Sequence, residues 1–261
     1  MLRRLLKYEL QATARIFLPL YLLLFLMSIV NKIFLSINTE SVEIPMAISM
    51  TAYISIIVAI IVITLVVTIQ RFYKNLLTDE GYLMFTLPTS INAHIASKML
   101  IAMLWNFLSV ILSICSVIVL AINPDVIQEL GRAWLYMTSI LAQQGAGVRF
   151  GIIQIIIMLF VSLAAGILKM YASMALGHLV TKHRVAGALG AYFLIGLVEQ
   201  IVVTVGMTAV AGSGFLERFA NWDPMPLANL AFAGINVGCL VLSVIFYFTT
   251  KYVLKNKLNL E

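Results

Sequence analysis

Between Glu43 and Arg71 the chain runs 27 residues without a charged side chain, and it repeats this for 26 residues between Lys98 and Asp125 and for 27 between Asp223 and Lys251. About 20 apolar residues cross the hydrocarbon of a bilayer as a helix, so each stretch holds one span. Ile16 to Ile37 is interrupted only by Lys32, near enough to one end for its ammonium to snorkel to the interface. Phe150 to Leu168 adds 19 uncharged residues, and Val185 to Leu216 adds 32 broken by one charge, Glu199. The expectation is an all-α integral membrane protein with six transmembrane helices at about 16–37, 48–70, 99–122, 150–170, 185–211 and 228–250, forming one transmembrane domain over residues 1–261.

Composition closes off the alternatives. Apolar side chains make up 62% of the chain and charged ones 11%, whereas a soluble domain carries about 25% charge. Wetting a soluble surface with so few charges would leave large apolar patches, which excludes soluble enzymes, secreted modules and disordered tails. The net charge of +6 would raise nucleic acid as a partner in a soluble protein. Here the cations flank apolar spans, where they meet anionic headgroups and set orientation, so membrane lipids and not nucleic acid are the expected contact. Cys115 and Cys239 each lie inside an uncharged stretch, and no disulfide framework is legible.

Thirteen of the 17 Lys and Arg fall on one side of the expected spans: Arg3, Arg4, Lys7 and Arg15; Arg71, Lys74 and Lys98; Lys169, Lys182 and Arg184; Lys251, Lys255 and Lys257. The alternate loops hold only Lys32, Arg132, Arg149 and Arg218, so the positive-inside bias puts both termini in the cytoplasm. The first apolar stretch reads as a retained span and not as a signal peptide. Ahead of it, Leu2, Leu5, Leu6 and Leu10 share one helical face opposite Arg3, Arg4 and Lys7, the pattern of an interfacial elbow helix, with Pro19 marking the change of direction. Outside, Asn123 to Gly147 can carry a helix capped by Asn123 with Pro124 at its first position and Val126, Ile127, Leu130 and Trp134 along one side. Gly212 to Leu227 reads as a short interfacial or re-entrant turn, and both segments as lids on the core.

Chemistry is scarce. There is no G-x-x-x-x-G-K-[ST] phosphate loop, and Gly145-Ala-Gly147 lacks the spacing of a dinucleotide fingerprint. His94, His178 and His183 have no carboxylate or cysteine at ligand spacing, so neither a metal nor a catalytic site is expected. Gly212-Ser213-Gly214 has no outer histidine to act as a base and is taken as a loop. The most informative segment is RFYKNLLTDEGYLMFTLPTSINAHIASK, residues 71–98. Phe72, Tyr73, Leu76 and Leu77 make one helical face, Gly81 can end that helix, Tyr82 to Leu87 is a second apolar run stopped by Pro88, and Ser90 can cap the next helix. Apolar aromatics in a cytosolic loop need a surface, which is either the protein itself or a partner.

That loop, the opening LLKYELQATARIFLPLY, the ALGHLVTKHR after the fourth span and the closing LKNKLNLE resemble a family of six-span permeases of type-2 ATP-binding-cassette (ABC) exporters from Gram-positive bacteria, over nearly the whole chain. The resemblance implies a bacterial plasma-membrane subunit that pairs with a second permease copy, identical or a paralogue, and with two cytosolic ATPase subunits. It also implies that the 71–98 loop holds a cytoplasmic coupling helix between spans two and three. ATP and Mg would then sit on the ATPase, with no cofactor on this chain. Phe72, Tyr73, Asp79, Glu80, Tyr82, Leu83 and Phe85 become the expected ATPase-coupling residues, aromatics as anchors and acids at the rim. The cargo would be a peptide or antimicrobial, a drug or a lipid-like molecule. The alternative is a six-span channel, scaffold or membrane-embedded enzyme with no ATPase partner.

Glu199, in the middle of the fifth span, costs about 2.5 to 3.5 kcal/mol on insertion scales and requires compensation. Tyr192, Gly196, Val203 and Gly206 share its face, and Asn106, Gln154 and Asn236 lie at depths where they can hydrogen-bond it. Glu199 with its neighbour Gln200 is either polar glue or part of a substrate pathway. Gly234 and Gly238 form a G-x-x-x-G pair, read as packing within the subunit in preference to a dimer contact.

Overall fold

The computed structural model describes residues 2–37, 42–78, 81, 90–143, 145–180, 182–214 and 222–256. Among them are seven α-helices and no strand: α1 (Leu2–Ser36), α2 (Glu43–Leu77), α3 (Ile91–Ala121), α4 (Pro124–Gln143), α5 (Ala146–Gly177), α6 (Arg184–Gly212) and α7 (Pro224–Asn256). All but α4 are long and apolar enough to cross a membrane, which makes this a multi-pass membrane protein. Each helix outruns its expected span, because apolar composition marks only the part of a helix that lipid can cover.

Local chemistry explains several ends. Asn123 Oδ1 accepts the Val126 N–H at 2.8 Å, with Pro124 in the first turn where a missing N–H costs nothing. α3 begins directly after Ser90, the expected capping position. α6 ends where Ser213 N–H reaches back to Ala209 O and Gly214 enters the left-handed region at φ 66°, which an L side chain resists. α1 runs unbroken as helix from Leu2 to Ser36 with Pro19 inside it. One missing backbone donor is tolerated in a membrane helix whose other bonds are intact. On α4, Ile127, Leu130 and Trp134 are exposed.

The chain divides into two compact units, Met1–Arg71 with Ala93–Met137, and Phe72–Asn92 with Thr138–Glu261. In the first, α1 buries Thr13, Phe17, Tyr21, Leu24, Ser28 and Asn31, a run of three- and four-residue steps that keeps one stripe facing its neighbours. Phe17 stacks on Trp105 at 4.5 Å between centroids, and Leu24, Tyr53, Ile60, Val67 and Ile101 complete the apolar core. Hydrogen bonds are threaded along the same stripe. Trp105 Nε1 donates to Thr13 Oγ1 (2.7 Å), the Tyr21 and Ser109 hydroxyls pair (2.7 Å), and Ser28 Oγ donates to Ser116 O (2.7 Å). Thr64 and Tyr53 on α2 close the pattern onto Ser109 (3.0 Å) and Ser116 (2.9 Å). Because Tyr21 to Ser28 and Ser109 to Ser116 advance together by seven, α1 and α3 run parallel with α2 antiparallel between them. Membrane hydrogen bonds are worth about 0.6 kcal/mol on average and up to about 1.7. Tyr21→Phe should therefore cost about 0.6 kcal/mol in SDS unfolding and Ser109→Ala about twice that, since Ser109 meets two hydroxyls. Equal losses would show that the Thr64 bond does not form.

The second unit repeats the plan. α5 packs against both α6 and α7. Asn229 Nδ2 donates to Gly147 O (2.9 Å) and Asn236 Nδ2 to Gln154 O (3.1 Å), again seven residues apart on each helix, so α5 and α7 run parallel. α6 is antiparallel to α5 and buries none of its residues. The two meet most closely where a Cβ on Gly177 would lie 2.2 Å from Ala188 N, a contact that only glycine permits. Gly234 and Gly238 are a correction: nothing lies within 4 Å of where their Cβ atoms would be, so this pair packs against no part of the described chain.

Candidate functional site

Lys169 of α5 and Glu199 of α6 form an ion pair between Nζ and Oε2 inside two apolar helices. From the level where Gly177 meets Ala188, Lys169 is eight residues along α5, about 12 Å, and Glu199 eleven along α6, about 16 Å. The lysine arm spans that difference, and Glu199 stands about halfway along α6. Tyr192 places its ring 4.9 Å from Lys169 Nζ, and the ammonium passes beside Gly196, 3.4 Å from where a Cβ would be. Thus α6 offers the lysine a carboxylate and an aromatic face at positions 199 and 192, with Gly196 between them on one helical face. The pair is shielded but not sealed: the side chains are 15% and 23% exposed. An accessible charge pair of this kind can separate and present either an ammonium or a carboxylate to a polar guest.

Lys169 is the residue that sequence reasoning misplaced. Counted among the loop cations, it lies within α5 and its ammonium reaches the carboxylate of Glu199. The signal was present in the single acid of one span and the single lysine at the edge of the preceding one; a long flexible cation reaching inward is as compatible with the sequence as one reaching outward. The polar residues expected to satisfy Glu199 do not bond it. Asn236 Nδ2 donates to the Gln154 backbone oxygen, the Gln154 side-chain amide is buried with no hydrogen-bond partner among the described residues, and Asn106 Nδ2 bonds Ala102 O one turn back in the first unit. The shared face of α6 is used from Tyr192 to Glu199 and no further, for Val203 is exposed and no atom lies within 4 Å of where a Cβ on Gly206 would be. Gln200 is exposed and donates to Thr204 Oγ1 at 3.5 Å.

Of the expected coupling residues, Phe72 is fully buried and stacks on Tyr171 at 3.9 Å, so it ties the end of α2 to α5. Tyr73 is half-buried. Asp79, Glu80, Tyr82, Leu83 and Phe85 lie outside the described residues.

Two further charged sites are structural. Lys98, with a side chain 2% exposed, holds Glu9 at 2.5 Å, and Arg71 approaches the same carboxylate at 4.0 Å, joining α1, α2 and α3. Lys32 donates to Val119 O (3.2 Å) and Ile122 O (2.9 Å), placing a cation on the carbonyl end of α3. Beyond the end of α5, burial and then the Arg184 charge hold His178 below the ordinary histidine value, and its Nδ1 is buried without a hydrogen bond. Among the described residues no group of three or more His, Cys, Asp or Glu is placed to hold a metal ion.

No family model matches the chain. No curated protein and no solved structure matches it either.

Proposed function

We propose that this chain is the membrane-spanning permease subunit of an ABC transporter, exporting or extruding a peptide, drug or lipid-like substrate with ATP hydrolysed on a separate ATPase. The observation that carries the reading is the partly exposed Lys169–Glu199 pair, whose carboxylate stands about halfway along an apolar spanning helix. Intramembrane ionisable groups are costly and mark polar pathways. The sequence resemblance supplies the ATPase: the chain has six apolar spans and no phosphate loop of its own. In this reading the protein sits in a bacterial plasma membrane with both termini cytoplasmic and pairs with a second permease copy. The first turns of α1 lie at the interface as an elbow, and the 71–98 loop docks on the ATPase, with Tyr82, Leu83 and Phe85 as anchors and Asp79 and Glu80 at the rim. Phe72, already engaged with Tyr171, acts there by bracing the loop.

The test is copurification from the native membrane. Wild-type chain should bring down an ATPase, and Tyr82→Ala with Phe85→Ala should lose it or uncouple its hydrolysis from substrate, since each lost anchor costs about 1 to 3 kcal/mol of docking. A double variant that retains the ATPase and transports normally would overturn the coupling assignment. Absence of any ATPase with the wild type would overturn the permease reading.

A further inference from the structure

Lys182, His183 and Arg184 are consecutive, exposed, and line one open depression of about 660 Å³ whose other walls are Val185, Ala186 and Leu189. No carboxylate among the described residues pairs with any of the three. Elsewhere in the chain Lys98, Arg132 and Lys169 have acidic partners and Lys32 has two carbonyls. The depression therefore concentrates positive charge that no described carboxylate pairs with, and α6 adds no acid in its first turn.

Its other side is apolar and continuous with a spanning helix. Val185 and Leu189 are exposed, and the same face continues down α6 to Phe193, also exposed. A cationic rim opening onto an apolar track matches an amphiphile, with its phosphodiester among the cations and an acyl chain along α6. Free phosphate would use only the rim. The helix ends beside the rim are closely packed: Gly177 lies against Ala188, and a Cβ on Gly187 would meet Gly177 O at 3.0 Å.

We propose that this depression is a binding site for one anionic phospholipid, with Lys182 and Arg184 at the phosphate, His183 beside it, and Val185 and Leu189 against the acyl chain. The inference does not depend on the transporter reading, since it concerns only this unit and the bilayer.

The experiment uses full-length chain in phosphatidylcholine nanodiscs doped with photoactivatable phosphatidylglycerol or with the matching photoactivatable phosphatidylcholine, followed by peptide mapping. A basic residue at the membrane surface contributes about fivefold to anionic lipid binding. Phosphatidylglycerol should label the 182–193 segment at least about tenfold more than phosphatidylcholine. Lys182→Gln with Arg184→Gln should bring labelling down to the phosphatidylcholine level. Equal labelling by the two lipids in the wild type overturns the proposal, as does undiminished labelling in the double variant. Competition by inorganic phosphate that abolishes labelling shows a free-anion site and overturns the lipid assignment. If the double variant does not fold, the wild-type comparison of headgroups decides alone.

Discussion

Lys169→Met should destabilise the protein by about 2 to 3 kcal/mol, because it strands Glu199 as a charge halfway along α6, between two apolar helices. Breaking a buried pair by removing one partner costs about 3 to 5 kcal/mol in sealed interiors; the residual exposure of these side chains lowers the figure. Glu199→Gln should be milder, about 1 kcal/mol, since the amide oxygen still accepts from the ammonium and Tyr192 still offers its ring. Changing both residues, Lys169→Met with Glu199→Leu, should recover most of the loss, as apolar replacements of buried pairs commonly do. Glu199→Leu alone closes the cycle with wild type, Lys169→Met and the double variant, and additive losses in SDS or thermal unfolding would show that the two residues do not interact. The same variants separate the two readings of Glu199. If the pair is only glue, the double variant keeps transport; if it lines a pathway, the double variant assembles normally but loses substrate-stimulated ATPase activity.

Gly177→Ala should be at least as damaging although it adds only one methyl group. The new Cβ would lie 2.2 Å from Ala188 N and 2.3 Å from its Cα, backbone atoms that no rotamer change can withdraw. Helices α5 and α6 must part at this point, at a cost of roughly 3 kcal/mol or more. The opening also lengthens the reach from Lys169 to Glu199, because those side chains hang on the same two helices. Gly166 and Gly190 are the controls. Neither has an atom within 4 Å of its would-be Cβ, so alanine there should be neutral or should stabilise by about 0.5 to 1 kcal/mol through helix propensity. Thermal unfolding that ranks Gly177→Ala with these controls would disprove the close approach.

Much of the architecture was legible from residue order. Uncharged stretches mark the six spanning helices because no soluble arrangement hides so long an apolar run. Asn123 and Pro124 announced α4, since capping is decided within one turn. The cost of Glu199 was legible too, because a lone acid in a span needs a partner wherever it sits. The partner's identity was not. Lys169 lies 30 positions away on a different helix, and whether its arm turns inward depends on the relative rotation and depth of α5 and α6. The stripe from Thr13 to Asn31, the seven-residue repeat of the Asn229 and Asn236 bonds, and the unused Gly234–Gly238 face escaped for a related reason. In lipid the outer faces of helices are as apolar as the inner ones, so hydrophobic periodicity carries little information about which face packs. Sequence alone thus determined that the chain spans a membrane and where one charge must be met. Only the tertiary structure decided which faces meet and which cation answers Glu199, because those depend on helix phase and depth, which lipid-matched composition does not encode.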